Sequence, residues 1–197
     1  MRTIILIVFV CFCNALFSQQ VADTLYNPEI ENIAYNSGLG PVVFIDEGHF
    51  NFHTIDGRYK SFSNILEKDG YKVLAYKGPF ELNKLSEGKI LVISNALNEI
   101  NTEEWVVPNP SAFTKQEIQI LESWVRNGGN LFLIADHMPM AGAATDLAAV
   151  FGFEFTNGFV FSTRAKGPAF FKRNDKTLGE NSITIGRTPA ENVNQIA

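Results

Sequence analysis

Four short apolar runs constrain this chain more than anything else in it: Val42-Val43-Phe44-Ile45, Lys72-Val73-Leu74-Ala75-Tyr76, Lys89-Ile90-Leu91-Val92-Ile93 and Asn130-Leu131-Phe132-Leu133-Ile134. A strand with one wet face alternates polar and apolar residues, whereas a strand covered on both faces does not. Between the runs lie segments of helical period. Tyr59, Phe62, Ile65 and Leu66 form a stripe that stops at Asp69-Gly70. Ile118, Leu121, Trp124 and Val125 form another, opened by a Thr114/Glu117 capping box with Phe113 and Ile118 as a hydrophobic staple, and closed by Gly128-Gly129. The small residues from Ala141 to Val150 predict a short helix packed closely on the sheet. Strand and helix in alternation imply right-handed crossovers, so the predicted fold is α/β, a flavodoxin-like doubly wound, mainly parallel sheet with helices on both faces and strand order 2-1-3-4.

Three segments are expected. Residues 1–19 read as a signal peptide, in which Arg2 precedes an apolar stretch from Ile4 to Phe17 that is shorter than a bilayer span. An uncleaved N-terminal anchor is the alternative. Residues 20–40 form an N-terminal extension and 41–197 the α/β domain, whose last residues, Val193 to Ala197, look interrupted, as in a domain truncated at its C-terminus. The expected destination is the periplasm or the cell exterior. Cys11 and Cys13 both fall in the removable segment, which leaves no thiol for disulfides, nucleophilic catalysis or metal ligation. Removing residues 1–19 takes one charge, Arg2, and leaves 15 basic against 21 acidic residues, a net of −6 over 178 residues. Without runs of Lys or Arg, that balance argues against nucleic acid or an anionic membrane as partner.

The three histidines fall in two motifs at strand ends, Asp46-Glu47-Gly48-His49-Phe50-Asn51-Phe52-His53 and Asp136-His137. In an open parallel sheet ligands bind at the edge where the strands end. His49 and His53 are four apart, a spacing that puts two imidazoles on one side of a helical turn. Read functionally, the first motif is a cradle for a metal or a polar ligand. Read structurally, it is a tight turn in which Asp46 accepts backbone hydrogen bonds and the histidines pack among Phe44, Phe50 and Phe52. The second motif is either part of the same site, with the amides of Ala141 to Ala144 facing an anion, or a helix cap made by Asp136.

Strands one and four are two strand spacings apart in the expected order, about 10 Å, which long side chains can bridge. Ser94 and Asn95 lie between them. The candidate catalytic set is His49, His137, Asp136 and Ser94, although Val92 and Ala96 stand where a Gly-x-Ser-x-Gly elbow needs glycine. Asp46, Glu47, Asn51, Arg58 and Asn95 are candidate ligand-binding residues, Arg58 reading either as a holder of an anionic or hydroxyl-rich ligand or as a solvated surface arginine. A divalent metal, the one cofactor considered, would be held by His49, His53, Asp136 and His137. Dinucleotide binding is not expected, because Gly38-Leu39-Gly40 precedes the first strand.

These motifs, with Asp56-Gly57-Arg58-Tyr59, Gly128-Gly129-Asn130 leading into Ile134-Ala135-Asp136-His137-Met138-Pro139, and Ile185-Gly186-Arg187, resemble a bacterial family known as domain of unknown function 4350, within the glutamine-amidotransferase-like superfamily. The resemblance covers about Pro41 to Val193. It implies a flavodoxin-like fold with its working edge at the strand C-termini. Amidotransferases use a cysteine nucleophile that the mature chain lacks, so the resemblance implies a ligand-binding or accessory role, in handling carbohydrate-like compounds, with a metal- or histidine-dependent hydrolase as the alternative.

Overall fold

The computed structural model describes residues 21–161 and 167–196, and the expected signal peptide lies outside them. The chain forms two compact units, Met1–Gly158 and Phe159–Ala197.

In the first unit the order is β1 (Val42–Asp46), α1 (Lys60–Lys68), β2 (Lys72–Tyr76), α2 (Leu82–Leu85), β3 (Ile90–Ser94), a 3-10 turn (Glu99–Asn101), α3 (Lys115–Arg126), β4 (Asn130–Ile134) and α4 (Met140–Val150). All four strands are parallel and lie in the order β2-β1-β3-β4. The unit is thus an α/β fold of flavodoxin-like type, helices on both faces of one parallel sheet, as the unalternating runs predict. β3 starts and ends one residue later than expected.

The period-2 alternation of each strand divides the core. Phe44, Leu91 and Ile93 pack with Leu121 and Trp124 of α3 and Leu147 of α4. On the other face Val43, Ile45 and Val92 pack under Tyr59, Phe62 and Leu66 at and in α1. Full burial of side chains of this size stabilises by roughly 1.5–3 kcal/mol each, so these two layers supply the driving force. The expected capping box is present, with Thr114 accepting from the Glu117 amide and Glu117 from that of Thr114. The extension docks on the α1–β2 turn, where the Ala34 amide donates to Asp69 (2.8 Å) and Tyr35 meets Tyr71 edge-on. At the outer strand, Phe132 is half exposed because no described helix covers that end of the α1 face.

In the second unit β5 (Phe171–Lys172) and β6 (Gln195–Ile196) form an antiparallel ladder. A short helix, α5 (Ser182–Ile185), starts from an Asn181 capping box. Arg173 ties these together by donating to the Thr184 and Val193 carbonyls, both at 2.9 Å. Gly186 has φ 73°, and Arg187 after it pairs with Glu191 at 2.7 Å, so Ile185-Gly186-Arg187 forms a closed turn.

Candidate functional site

The first motif follows directly from β1, and its path is set by a close approach of backbone. A Cβ on Gly48 would lie 2.4 Å from the Gly78 carbonyl oxygen, so only glycine fits there. Phe50 then has φ 48°, and residues 47–53 are irregular, with bends at Gly48, His49 and Phe52. The helical turn expected to align His49 and His53 is absent, and the two imidazoles diverge.

His49 turns toward α3. Its Nδ1 donates to Asp46 (2.9 Å) and its Nε2 to Glu117 (2.9 Å). Phe80 and Phe113 pack on the ring at centroid distances of 4.4 and 4.9 Å. Asp46 is fully buried and also accepts from Gly48 N (3.0 Å) and Asn51 Nδ2 (2.7 Å). Glu117 serves three elements, since it closes the capping box, accepts from His49 and accepts from the Phe80 amide at 3.1 Å. Burial works against a charged imidazole, but hydrogen bonds and charge from Asp46, then Glu117, outweigh it and raise the His49 pKa above its ordinary 6.5. Burial likewise opposes the Glu117 anion, and its bonds from Thr114, His49 and Phe80 outweigh that and lower its pKa. Both nitrogens of His49 are committed and the ring is nearly sealed, so this group joins β1, the β2–α2 loop and α3.

His53 turns to the opposite face. Its Nδ1 lies 2.9 Å from Ser94 Oγ, and Ser94 donates to Tyr59 Oη at 2.9 Å. Tyr59 stacks on the imidazole at 4.5 Å. With the Ser94 proton directed at Tyr59, Ser94 Oγ accepts from Nδ1–H, which leaves Nε2 as the basic nitrogen. Nε2 has no hydrogen-bond partner among the described residues. Burial and the Arg58 charge lower the His53 pKa, with Asp136 opposing them, so the ring is neutral at pH 7.

The rings continue outward from His53. Phe52 meets His53 edge-on at 5.4 Å and Trp105 at 5.6 Å, and Trp105 meets His137 at 5.8 Å. Arg58 lies over the Phe52 ring at 3.8 Å. Asp136, with a largely exposed side chain, stands 3.8 Å from His137 Nε2, and His137 Nδ1 meets the Met138 carbonyl at 2.6 Å. Asn95 joins the two loops behind this surface. Its carbonyl accepts from Phe52 N (3.0 Å) and its side chain from Asp136 N (2.9 Å). It does so with φ 54°, which asparagine tolerates better than most residues.

The residues expected at one pocket therefore fall into two groups. His53, Ser94, Asp136 and His137, with Arg58 and Asn95, belong to an open edge on the α1 face. Asp46, His49 and Asn51 belong to a closed cluster on the α3 face. Glu47 serves the loop, accepting from Ile55 N at 2.9 Å. The expected metal grouping of three histidines and Asp136 does not assemble, because His49 is on the wrong face. Among the described residues no three His, Cys, Asp or Glu side chains are placed to share a metal ion. Ser94 is fully buried, which removes it as an accessible nucleophile. The amides expected to face an anion at α4 are taken, Gly142 by Asn157 (3.0 Å), and Ala141 and Ala143 by the His137 and Pro139 carbonyls. Sequence reasoning missed Tyr59, Phe52 and Trp105 as site residues. The one signal for Trp105 was the length of the Asn98–Ala112 connection, since long loops in compact domains are often functional.

An apolar hollow lined by Leu131, Phe132, Phe151 and Phe153 lies elsewhere in the unit. It offers no group to orient a polar ligand.

No known protein family matches the chain, and no curated protein matches it. Among solved structures it is similar to an mmIFT52 N-terminal domain, at 14% identity and a TM-score of 0.48, over 66% of this chain and 48% of that one. The chain thus spans about half the length of that structure.

Proposed function

We propose that this chain is an exported ligand-binding α/β domain of amidotransferase-like ancestry whose working surface is the open edge around His53, and that its ligand is a hydroxyl-rich small molecule of carbohydrate type. The observation that carries the proposal is the run of rings Tyr59, His53, Phe52, Trp105 and His137, beside an exposed Asp136 carboxylate. A sugar presents C–H faces that pack on aromatic rings and hydroxyls that donate to carboxylates, and binding sites combine apolar walls with a few placed polar groups in this way. The position at the strand C-termini supports the same surface. The apolar stretch after Arg2 supports export, and among the described residues no helix is long and apolar enough to cross a membrane.

The chain has two tryptophans, and Trp124 of α3 is buried in the core, so a fluorescence change on adding glucose, galactose or their oligomers reports Trp105. The expected result is a saturable change, with Trp105→Ala weakening affinity, measured by calorimetry, about tenfold at unchanged melting temperature. Aromatic stacking of roughly 1–1.5 kcal/mol corresponds to that factor. A flat response to every sugar in the series counts against the reading.

A hydrolase is the second reading, favoured by one observation: a neutral imidazole whose basic nitrogen has no partner among the described residues. In that case water would attack with His53 as general base. Hydrolysis of 4-nitrophenyl acetate that is lost in His53→Ala and kept in Ser94→Ala supports it, and loss in neither removes it.

A further inference from the structure

Among the described residues Arg58 has no counter-ion. It lies partly buried against Phe52, its Nε is buried without a partner, and its one hydrogen bond, to the Phe52 carbonyl, is long at 3.4 Å. No carboxylate among the described residues pairs with it. Asp56 pairs with Lys60 at 3.1 Å, Glu47 accepts from Ile55 N, Asp46 is consumed by His49 and Asn51, and Asp136, exposed beside His137, makes no ion pair with Arg58. A guanidinium cannot shed its proton, and a partly desolvated charge without a partner is unfavourable in the unliganded protein. Such an arrangement persists where the missing partner arrives with a ligand. The Phe52 ring under Arg58 meets His53 edge-on at 5.4 Å, which places Arg58 at the same open edge.

We infer that Arg58 anchors a carboxylate on the ligand, so that the sugar-like molecule bound at this edge is acidic, of the uronate class. This rests on the ligand-binding reading above. The guanidinium fork takes a carboxylate through two parallel N–H···O bonds, while Phe52 holds the fork from behind and Trp105 remains available for the sugar face. Asp136 then accepts from the ring hydroxyls. Arg126 and Arg187, by contrast, are paired within the protein, with Glu122 and Glu191.

The test uses the full chain, with glucuronate and glucose as paired probes in calorimetry at low salt. The expected outcome is that glucuronate binds at least about tenfold tighter than glucose, that Arg58→Met reduces the ratio to near one without lowering the melting temperature, and that Arg58→Lys, which keeps the charge but not the fork, loses most of it. A ratio near one in the unmodified chain overturns the anion anchor, and so does a ratio that survives in Arg58→Met or an Arg58→Met protein that no longer folds. Glucose binding that still depends on Trp105 would leave the ligand-binding reading standing in those cases. Absence of binding by either sugar overturns both.

Discussion

Asp46 and Ser94 end adjacent parallel strands, and their side chains emerge on opposite faces of the sheet. Ile45 pairs with Val92, so Asp46 lies one residue beyond that pair and Ser94 two, and period-2 alternation sends one toward α3 and the other toward α1. Everything that distinguishes the sealed His49 cluster from the open His53 edge follows from this offset.

His49 should therefore be a stability residue. Removing one partner of a buried charged group leaves the others uncompensated at about 3–5 kcal/mol, and His49→Ala is expected to lose that much in urea denaturation, far more than His53→Ala. Equal losses from the two would contradict the division.

The His49 contribution also has a pH window. Its pKa is raised on folding, so the stability it adds is complete below its unfolded value of about 6.5 and is lost as pH rises through the folded pKa. Glu117 is lowered on folding, and its share is complete above about 4.5 and lost as pH falls through its folded pKa. The gap in stability between the unmodified chain and His49→Ala is thus expected to be widest between about pH 4.5 and 6.5 and to shrink as pH rises through the folded pKa of His49. A gap that widens with pH would mean that His49 is neutral in the fold.

His53 should titrate below its ordinary range. Since burial and Arg58 lower its pKa and Asp136 opposes them, Arg58→Met is expected to move the titration up and Asp136→Asn to move it down, read from imidazole proton shifts by NMR. Opposite signs would show that these charges do not act on the ring.

Ser94→Ala should be mild. The hydroxyl is buried and serves Tyr59 and His53, so its loss costs about 0.5–1.5 kcal/mol and leaves sugar affinity within a few-fold. A fluorophosphonate adduct on Ser94, seen by mass spectrometry, would reinstate it as a nucleophile.

Gly48→Ala is expected to destabilise by about 1–3 kcal/mol, the usual cost of forced overlap. Its new Cβ would meet Gly78 O at 2.4 Å and Gly78 N at 2.9 Å, and backbone yields less readily than a side-chain tip. Unchanged denaturation midpoints would mean that the β1 and β2 loops separate at no cost.

The fold was legible because each strand carries an unalternating run and α3 carries a complete capping box. Most of the open edge was legible as well, since Asp136, His137 and His53 follow strands. The facing of Asp46 relative to Ser94 was not, because it depends on the register between β1 and β3, which no local pattern encodes. The spacing of His49 and His53 suggested a shared side only on the assumption of a helical turn, and the left-handed Phe50 breaks it. Glu117 was readable as a capping residue, but its bond to His49 spans 68 positions. Trp105 reaches the site from a connection without periodicity.

The two loops that wall the open edge both lean on Asn95, one through its carbonyl and the other through its side chain. They are consequently one mechanical part, unable to swing apart without breaking a bond to a residue that is itself walled in. A molecule arriving there meets loops already joined, gives up little motion in the host on docking, and should dissociate without waiting for a gate to open.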